Sequence, residues 1–515
     1  MGDSMGYQID PNKQPNLFSA IAIGVGSIIG SGWLFASYYA AKYAGPISIL
    51  SWIIGATLSL MLALLLAEVA TMYQETGLFS RLLTITHNRD YGFIVASSNW
   101  FSMVSSIPSE AMATVQYLAT AFPAVDRIMF VNGNLTFAGI LMVYAIIGIY
   151  GLLNYWGIKT LTKANNAITT IKMIVPAAVG LLFIFAAFHP QNFTAYKDSI
   201  APYGIGNAFT AVVTCGIFYA FYGFSMITVF AKELKNPSRN IPLALAGSVI
   251  VCLIIYLILQ VSFLGAMDTA TIAANGWHSL NFHSPLADLA VILGINWLAL
   301  VLYVDAAISP SGTGILYMGS GARMLNAMAE DHQMPGIFAK MNPKFFISRT
   351  SLIFTMILCG VLVIFFDNWQ KIMIVVTVFQ LISCLAVPLA FSALRKNQPE
   401  KNRAFKMPFG KSVSLFAYLI VSYLLVQCGT TAMLLSLVMH LVFFIVYCMA
   451  YYRLNPQKTM LAFRSSWSLF AYLAIMSVFA KLQDMDKLHT ALPMLAFFAF
   501  AIIFYRLLLN QKSYT

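Results

Sequence analysis

Apolar runs of about 20 residues recur along this chain from residue 17 onwards, and each is long enough for a helix to cross a hydrocarbon core roughly 30 Å thick. Short polar stretches separate the runs. We number the predicted spans 1 to 14 in chain order: 17–43, 46–73, 91–122, 135–156, 163–188, 206–231, 241–266, 291–325, 350–367, 369–394, 412–430, 431–452, 466–480 and 490–509. The pattern predicts an all-α polytopic membrane protein with about 14 transmembrane helices.

The composition supports this prediction. Of the 515 residues, 60% are hydrophobic and only 9% are charged, whereas an ordinary soluble domain is about 25% charged. The six cysteines all lie in apolar stretches: Cys215, Cys252, Cys359, Cys384, Cys428 and Cys448. We therefore expect buried free thiols, and neither a disulfide framework nor a metal site.

The net charge of +12 is best explained by membrane topology. Fourteen spans place both termini on one side, and 23 of the 30 Lys and Arg residues fall on that side. Six fall on the other side, and Lys172 remains inside span 5. The positive-inside rule makes the first side cytoplasmic. We expect both termini in the cytoplasm, the plasma (inner) membrane as the location, and no nucleic-acid partner.

Two predicted spans are interrupted at matching places in the chain. Span 1 contains "IAIGVGSIIGSGWLF" (21–35) and span 6 contains "TCGIFYAFYGFS" (214–225). An unwound stretch survives in lipid only where it lines a cavity, and paired interruptions in two halves are typical of inverted-repeat transporters. A dinucleotide-binding loop is excluded, because G-x-G-x-x-x-G is one residue too long and no strand precedes it. Helix packing through Gly26 and Gly30 remains the alternative for span 1.

The chain is divided accordingly. We predict a cytoplasmic N-terminal segment, a transport core with two halves, a basic cytoplasmic loop and additional C-terminal transmembrane helices. The predicted boundaries are, in that order, 1–16, 17–395 (17–188 and 206–395), 396–411 and 412–509.

Several motifs resemble those of the amino acid–polyamine–organocation superfamily of permeases. They are "GSIIGSGWLF" (26–35), "AEVATMYQETG" (67–77), "FYAFYGFSMITVFAKELKNPSRNIPLAL" (218–245) and "ISPSGTGILYMGSGARMLNAMAEDHQMP" (308–335). The resemblance covers residues 17 to 452 and implies the five-plus-five inverted-repeat fold, also called LeuT-like, with helices 1 and 6 discontinuous. Many members carry an acidic residue after the Gly-Phe of helix 6, where this chain has Ser225, and the following Ala-Glu-Glu becomes Ala231, Lys232 and Glu233.

An amino acid substrate presents a carboxylate and an ammonium group. The N-terminal end of a half-helix offers unpaired N–H groups and a positive dipole to the carboxylate. We expect these donors to come from Ser27, Ile28, Ile29, Gly30, Ser31 and Gly32. For the two serines, hydrogen bonding back to their own helix is an equal alternative.

The interruption of span 6 supplies the complementary groups. Unwound carbonyls near Phe218, Tyr219 and Phe221 are expected to accept from the ammonium, with Gly223 also in the substrate site. Any one of these aromatic rings is more often a packing residue. As a cluster they resemble the family's occluding lid, for which Tyr219 is our first choice.

Ionisable groups inside predicted spans cost about 2.5–3.5 kcal/mol each on insertion scales, which makes them candidates for function. Glu68 lies near a cytoplasmic helix end, where a stabilising role is favoured. Glu110 follows Pro108 and either faces the substrate path or caps the proline kink. Asp305 and Ser309 are four residues apart and form a polar stripe that we expect to point inward.

Lys172 lies ten residues into span 5. In the resembling family, a lysine at this position occupies the place that a sodium ion has in sodium-coupled relatives of the same fold. It bridges helices 1, 5 and 8 as that cation would. The resemblance thus implies a coupling role for Lys172 in which a proton replaces the ion. Snorkelling to the interface is the alternative, and the depth of the residue disfavours it. Asp305 is predicted at a similar depth, which suggests that the two residues pair in one conformation.

These observations favour a secondary active transporter of amino acids or related amines, coupled to protons and working by alternating access. An amino acid/amine antiporter and a non-transporting sensor of the same fold are the alternatives. An enzyme is disfavoured, because the seven histidines are scattered without metal-ligand spacing. We expect no cofactor and no metal; the expected partners are the substrate, the proton and the lipid bilayer.

Overall fold

A computed structural model describes residues 15–73, 78–156, 161–230, 234–342, 345 and 347–510. α-Helices make up most of this part of the chain. The first eight are α1 Leu17–Ile28, α2 Gly32–Ala44, α3 Ser48–Met72, α4 Leu78–Thr86, α5 Arg89–Thr120, α6 Pro123–Met129, α7 Phe137–Tyr155 and α8 Leu161–Ala186. A two-stranded antiparallel hairpin, β1 Phe130–Val131 and β2 Asn134–Leu135, joins α6 to α7.

The second half continues with nine helices. They are α9 Asn207–Thr214, α10 Ile217–Phe221, α11 Pro237–Ala266, α12 Thr269–Asn275, α13 Pro285–Ile292, α14 Asn296–Glu330, α15 Arg349–Phe365, α16 Trp369–Cys384 and α17 Ala386–Asn397. Short 3-10 turns lie at Gly45–Ile47, Pro190–Phe193, Phe224–Phe230, Trp277–Ser279 and Gly336–Ala339. The C-terminal helices are α18 Gly410–Gln427, α19 Thr430–Tyr451, α20 Pro456–Asp484 and α21 Ala491–Leu509.

Several helices begin at a polar cap that the sequence places just before an apolar run. Asn16 accepts from the N–H of Ser19, Asn88 from that of Tyr91, and Asn368 from that of Lys371. Each asparagine side chain thereby satisfies a backbone donor that the first turn leaves without an intrahelical partner.

The two halves repeat one order of elements. A broken helix comes first (α1 with α2, then α9 with α10), and a long helix follows it (α3, then α11). Short helices then lead into the longest helix of each half, 32 residues in α5 and 35 residues in α14. Three further helices complete each half, α6 to α8 in the first and α15 to α17 in the second. The centre forms where α5 packs along α14 and α16, and where α1 packs along α11 and α8.

By length and apolarity, ten helices of the described chain could cross a membrane, or eleven if the bent pair α9 and α10 is one span. One of the ten stretches, Gly32–Met72, contains both α2 and α3. α1 has only 12 residues, and α5 carries six serines that lower its hydropathy. Within the described residues, most of each predicted span is helical, which is consistent with a polytopic membrane protein. The number of crossings stays a prediction.

Helix boundaries differ from the predicted spans in two informative places. Span 13 was predicted as 466–480, but α20 begins at Pro456, where Asn455 caps it, and continues to Asp484. Span 8 was predicted from residue 291, but α14 begins at Asn296, because the chain turns at Gly294 with a φ of +75°. Asp305 is therefore closer to the N-terminal end of its helix than the predicted span placed it.

Candidate functional site

The first predicted span is broken beside Glu110. α1 ends at Ile28 and α2 begins at Gly32, so the residues between them leave the helix. The backbone N–H of Ser31 donates to Glu110 Oε2 at 2.8 Å, and the Tyr219 hydroxyl donates to Glu110 Oε1. A Cβ added at Gly30 would lie 2.5 Å from that Oε1 atom. Glycine at this position lets a carboxylate approach the backbone.

A carboxylate at this point fits the electrostatics of the helix end. The first N–H groups of α2 lack intrahelical partners and carry a partial positive charge. The Ser31 side chain does not cap them, and the fully buried Glu110 supplies the negative group instead. The sequence left two interpretations for Glu110, facing the substrate path or capping the Pro108 kink. Its contacts lie at the break of the first span and not at the kink.

The glycine-rich stretch contains two kinds of position. A Cβ at Gly24 would lie 2.7 Å from Ser248 Cβ of α11, and one at Gly26 would lie 2.6 Å from Thr169 Oγ1 of α8. Both glycines lie within α1, where they allow close helix packing. The break itself is confined to residues 29–31. Helix packing and unwinding, which were alternatives from the sequence, thus apply to different glycines.

The two serines behave differently. Ser27 Oγ donates to the Ile23 carbonyl at 2.8 Å, which is the back-bonding alternative. Ser31 Oγ faces across the break and accepts from Trp369 Nε1 at 3.0 Å. Ile28 ends α1 as a buried residue, and the Ile29 carbonyl accepts from Thr313 Oγ1 at 3.5 Å. Ser31 is therefore the better candidate for a substrate contact.

Lys172 lies at the opposite pole of the same break. Its Nζ donates to Thr313 Oγ1 at 2.6 Å and to the Gly26 carbonyl at 3.3 Å. The Gly26 carbonyl belongs to the last turn of α1, which carries partial negative charge. Lys172 is only 2% exposed, so it does not snorkel to the interface. It joins α8 to α1 and α14, the three elements that the resemblance implied.

Asp305 does not pair with Lys172 in this conformation. Among the described residues, no ion pair within 4 Å joins the two side chains. Asp305 Oδ1 instead accepts from Ser309 Oγ at 2.9 Å, along one face of α14 as the spacing predicted. Its buried Oδ2 atom has no partner in the described chain. Both residues are buried, so the stripe points into the protein.

The second broken helix has two interruptions. α9 and the following helical segment meet at a bend of 62°, and Gly216 there has a φ of +77°. A second interruption follows at Gly223, with a φ of +121°. L-residues rarely adopt these dihedrals, which explains glycine at both places.

The carbonyl groups expected to accept from a substrate ammonium lie in a different backbone conformation than predicted. Phe218, Tyr219 and Phe221 lie in the short helix α10, between the interruptions and not in unwound backbone. The carbonyls of Phe218 and Tyr219 already accept from the N–H of Tyr222. The Phe221 ring packs edge-on against Trp52 and Tyr256. Of these residues, Tyr219 alone reaches the Glu110 carboxylate among the contacts of the described chain.

The two broken helices touch each other directly. A Cβ at Gly223 would lie 2.5 Å from the Ser27 carbonyl oxygen, and one at Gly32 would lie 2.9 Å from Ala220 Cβ. Only glycine allows backbone to approach so closely. The two broken helices therefore pack against each other on both sides of the break at residues 29–31.

Trp369 covers this site, and sequence reasoning missed it. In addition to its hydrogen bond to Ser31, its ring stacks on Phe35 with centroids 4.7 Å apart and meets the Tyr219 ring edge-on at 6.3 Å. A Cβ at Gly216 would lie 2.7 Å from Trp369. Trp369 thus contacts both broken helices. The only sequence signal was a tryptophan at the start of span 10.

A second cluster of polar side chains lies around Tyr222, three residues after Tyr219 in the chain. The Tyr222 hydroxyl donates to Asn99 Oδ1 at 2.8 Å and lies 3.1 Å from Ser383 Oγ. Asn99 Nδ2 in turn donates to Ser80 Oγ at 2.8 Å. We call Tyr222, Asn99, Ser80 and Ser383 the lower gate. Sequence periodicity did not reveal it, because its members come from four separate segments.

Glu68 belongs to a different cluster. Its carboxylate accepts two hydrogen bonds from Arg395, at 2.9 and 2.7 Å, and a third from Arg403 at 3.1 Å. The N–H of Met407 completes the set at 2.8 Å. A buried carboxylate with this many donors anchors the 398–409 connection to α3, which agrees with a stabilising role.

The described residues contain no group of three His, Cys, Asp or Glu side chains placed to hold a metal ion. The six cysteines all lie in that part of the chain, and each is a buried free thiol.

Comparison with known proteins identifies the family. The family model described as "Amino acid permease" matches residues 16–428. The chain belongs to the amino acid permease family. The match agrees with the resemblance to the amino acid–polyamine–organocation superfamily. This amino acid permease is therefore a membrane transporter and not an enzyme.

Three relatives from Bacillus subtilis (strain 168) are similar over most of their length. This amino acid permease is 38% identical to the glutamate/serine transporter AimA over 417 residues, which are 80% of this chain and 77% of that protein. It is 32% identical to an aspartate-proton symporter over 482 residues, 92% and 91% of the two chains. The branched-chain amino acid permease BcaP of the same organism is 26% identical over 458 residues, 84% and 92% of the two chains.

One difference from the family pattern lies in the site region of this permease. Ser225, which stands where many members carry an acid, is a buried residue in the 3-10 turn Phe224–Phe230. The following Ala231, Lys232 and Glu233 lie outside the described residues.

Proposed function

We propose that the protein is a proton-coupled secondary transporter of amino acids, with acidic and small polar amino acids as its first candidate substrates. The names of the two most similar relatives reported above, one for glutamate and serine and one for aspartate with a proton, support this choice. Alternating access requires a site that two layers can close in turn. Trp369 and the lower gate are candidates for these two layers.

The proposed architecture is a five-plus-five inverted repeat with fourteen crossings. The repeated order of elements supports the two-half arrangement, with α18 to α21 as the additional C-terminal helices. The distribution of Lys and Arg supports cytoplasmic termini. We propose the plasma (inner) membrane as the location.

The observation that carries the proposal is the contact of the Glu110 carboxylate with the Ser31 N–H. The donor that we assign to a substrate carboxylate already binds a carboxylate of the protein itself. Two ionised carboxylates at one donor repel each other, so substrate binding requires Glu110 to move away or to take up a proton. When Glu110 takes up the proton, binding of the substrate and binding of the proton are linked at the Glu110 carboxylate.

Lys172 is the second proposed coupling residue. Its ammonium holds the end of α1 and the face of α14 together through Gly26 and Thr313. If the lysine releases its proton, the charge that satisfies the end of α1 is lost and this connection weakens. Asp305, buried in the same helix as Thr313, is proposed as a group that approaches Lys172 in another conformation.

The test is uptake by purified protein in liposomes. Radiolabelled L-glutamate, L-aspartate, L-serine and L-leucine are supplied in turn, with and without an inward proton gradient. The proposal predicts accumulation of at least one of the first three above equilibrium, only when the gradient is present, together with acidification of the lumen.

Two other outcomes would contradict parts of the proposal. Exchange that proceeds without accumulation under any proton gradient would indicate an antiporter. Ligand binding without flux of any substrate would indicate a sensor of the same fold.

A further inference from the structure

A cavity of 430 Å³ lies directly beyond the lower gate. α4, α5, the 3-10 turn Phe224–Phe230 and α14 contribute to its wall. It lies on the side where both described chain ends lie: Lys235 N–H donates to the Pro15 carbonyl at 3.1 Å, and His87 Nε2 is 3.1 Å from the Leu508 carbonyl. We call this the terminal side.

The charges on the cavity wall are unequal. Arg81 of α4, Arg89 of α5 and Arg323 of α14 line it, whereas Asp331 is the one acidic residue among its lining residues in the described chain. Among the described lining residues, guanidinium groups outnumber carboxylates by three to one, and low-dielectric walls concentrate the field of such an excess of positive charge. An anion that enters the cavity is therefore attracted.

Arg323 is the residue most available to an anion. Within the described chain no carboxylate lies within 4 Å of its guanidinium group. It shares one face of α14 with Ser320 and Ala327, three residues before it and four after it, and all three line the cavity. A fork of N–H donors can bind a carboxylate through two hydrogen bonds.

The cavity is continuous with the proposed route of the substrate. Asn99 and Ser80 of the lower gate also line the cavity. On the other side of Tyr222, three residues away in the chain, Tyr219 donates to Glu110. A molecule that passes the opened gate therefore enters the arginine-lined space next.

We propose that this cavity is a second, transient binding site for the side-chain carboxylate of a dicarboxylic amino acid. The inference rests on the proposed amino acid transport and narrows its substrate class. A dicarboxylic amino acid carries a net charge of −1 and is held by the electropositive wall. A neutral amino acid has no net charge and passes through the cavity without this attraction. The arginines then favour acidic substrates on the terminal side of the membrane only.

The experiment compares Arg323→Gln with the wild type in inside-out and right-side-out vesicles. The half-saturating concentrations of L-glutamate and L-serine are measured from each face. From the terminal side, the variant should need about tenfold more L-glutamate, as expected when a bond worth about 1.4 kcal/mol is lost. From the opposite face, and for L-serine from either face, the values should stay unchanged. Arg239→Gln, on the terminal side but outside the cavity, is the matched control.

The possible results separate this inference from the proposed function. Equal effects on L-glutamate and L-serine, or an effect from both faces, would overturn the cavity site. So would wild-type transport of L-serine without transport of either acidic amino acid, a result that leaves the proposed function intact. Failure of the wild type to move any amino acid would overturn the proposed function itself. If Arg323→Gln does not fold, Arg89→Gln should give the same face-selective loss.

Discussion

The Glu110 carboxylate accepts the backbone N–H of Ser31 at 2.8 Å, where the broken first helix resumes. The two residues are separated by 79 positions in the chain. Lys172 donates to the Gly26 carbonyl at the other end of the same break. The negative carboxylate therefore satisfies the positive end of α2, and the positive ammonium satisfies the negative end of α1. In our proposal, an amino acid substrate replaces the first of these contacts.

Gly30→Ala tests the need for close approach. The added Cβ would lie 2.5 Å from Glu110 Oε1, too close for contact, so either the carboxylate or the backbone must shift. We expect substrate affinity to fall about tenfold or more, corresponding to at least about 1.4 kcal/mol. Ligand-induced thermal stabilisation of the purified variant measures this loss.

Gly148→Ala is the matched control for Gly30→Ala. Gly148 lies in α7, and a Cβ there would meet nothing within 4 Å. Because alanine favours a helix over glycine, this variant should bind as the wild type does and be no less stable. A folded Gly30→Ala protein with wild-type affinity would remove the Ser31 donor from the substrate site.

Trp369→Phe tests the layer that covers the site. Phenylalanine keeps a ring beside Phe35 but loses the hydrogen bond from Nε1 to Ser31 Oγ. We expect substrate binding to persist while exchange slows or the proton leak rises, because closure of the site is impaired. Exchange rates and pyranine-reported proton leak in liposomes measure these effects. Trp100→Phe is the control, because the indole N–H of Trp100 has no partner in the described chain.

Lys172→Ala separates coupling from binding. The variant loses both donations that link α1 to α14, so uptake driven by a pH gradient should disappear while substrate exchange remains measurable. Lys371→Ala, which removes a lysine from an exposed ion pair with Asp367, should leave both activities unchanged. Retained gradient-driven uptake in Lys172→Ala would exclude the coupling role.

In the same assay, Asp305→Asn should shift the pH dependence of uptake, and a change confined to substrate affinity would exclude the pairing of Asp305 with Lys172.

The sequence predicted individual elements of this site better than their contacts. Glycine density located the break near residue 30, and the depth of Lys172 in its span predicted its burial. Hydrophobic periodicity gives the face of a helix but not its partner, so Glu110 remained ambiguous and Trp369 was missed. Among the aromatic residues from Phe218 to Phe224, the sequence favoured Tyr219 as the lid but assigned it no partner. Only the short helix α10 turns Tyr219 toward Glu110 and Phe221 toward Trp52.

His87 gives a pH dependence outside the spans. Burial lowers the pKa of His87 to about 4 from its ordinary value of 6.5. The unfolded chain therefore binds a proton more readily between those values, and stability is lost as the pH falls from 6.5 toward 4. Thermal unfolding at pH 7 and pH 5 should show a smaller difference in His87→Gln than in the wild type. An identical difference in both proteins would assign the pH effect to other groups.

The most direct measurement is proton-gradient-driven accumulation of substrate by Glu110→Gln in liposomes. Glutamine keeps an acceptor for the Ser31 N–H but cannot bind or release the proton, so we predict substrate binding and exchange without accumulation. Glu400→Gln, an exposed residue of the 398–409 connection, should accumulate substrate as the wild type does. If Glu110→Gln accumulates substrate to the wild-type level under the same gradient, the link between the Glu110 carboxylate and proton coupling is contradicted.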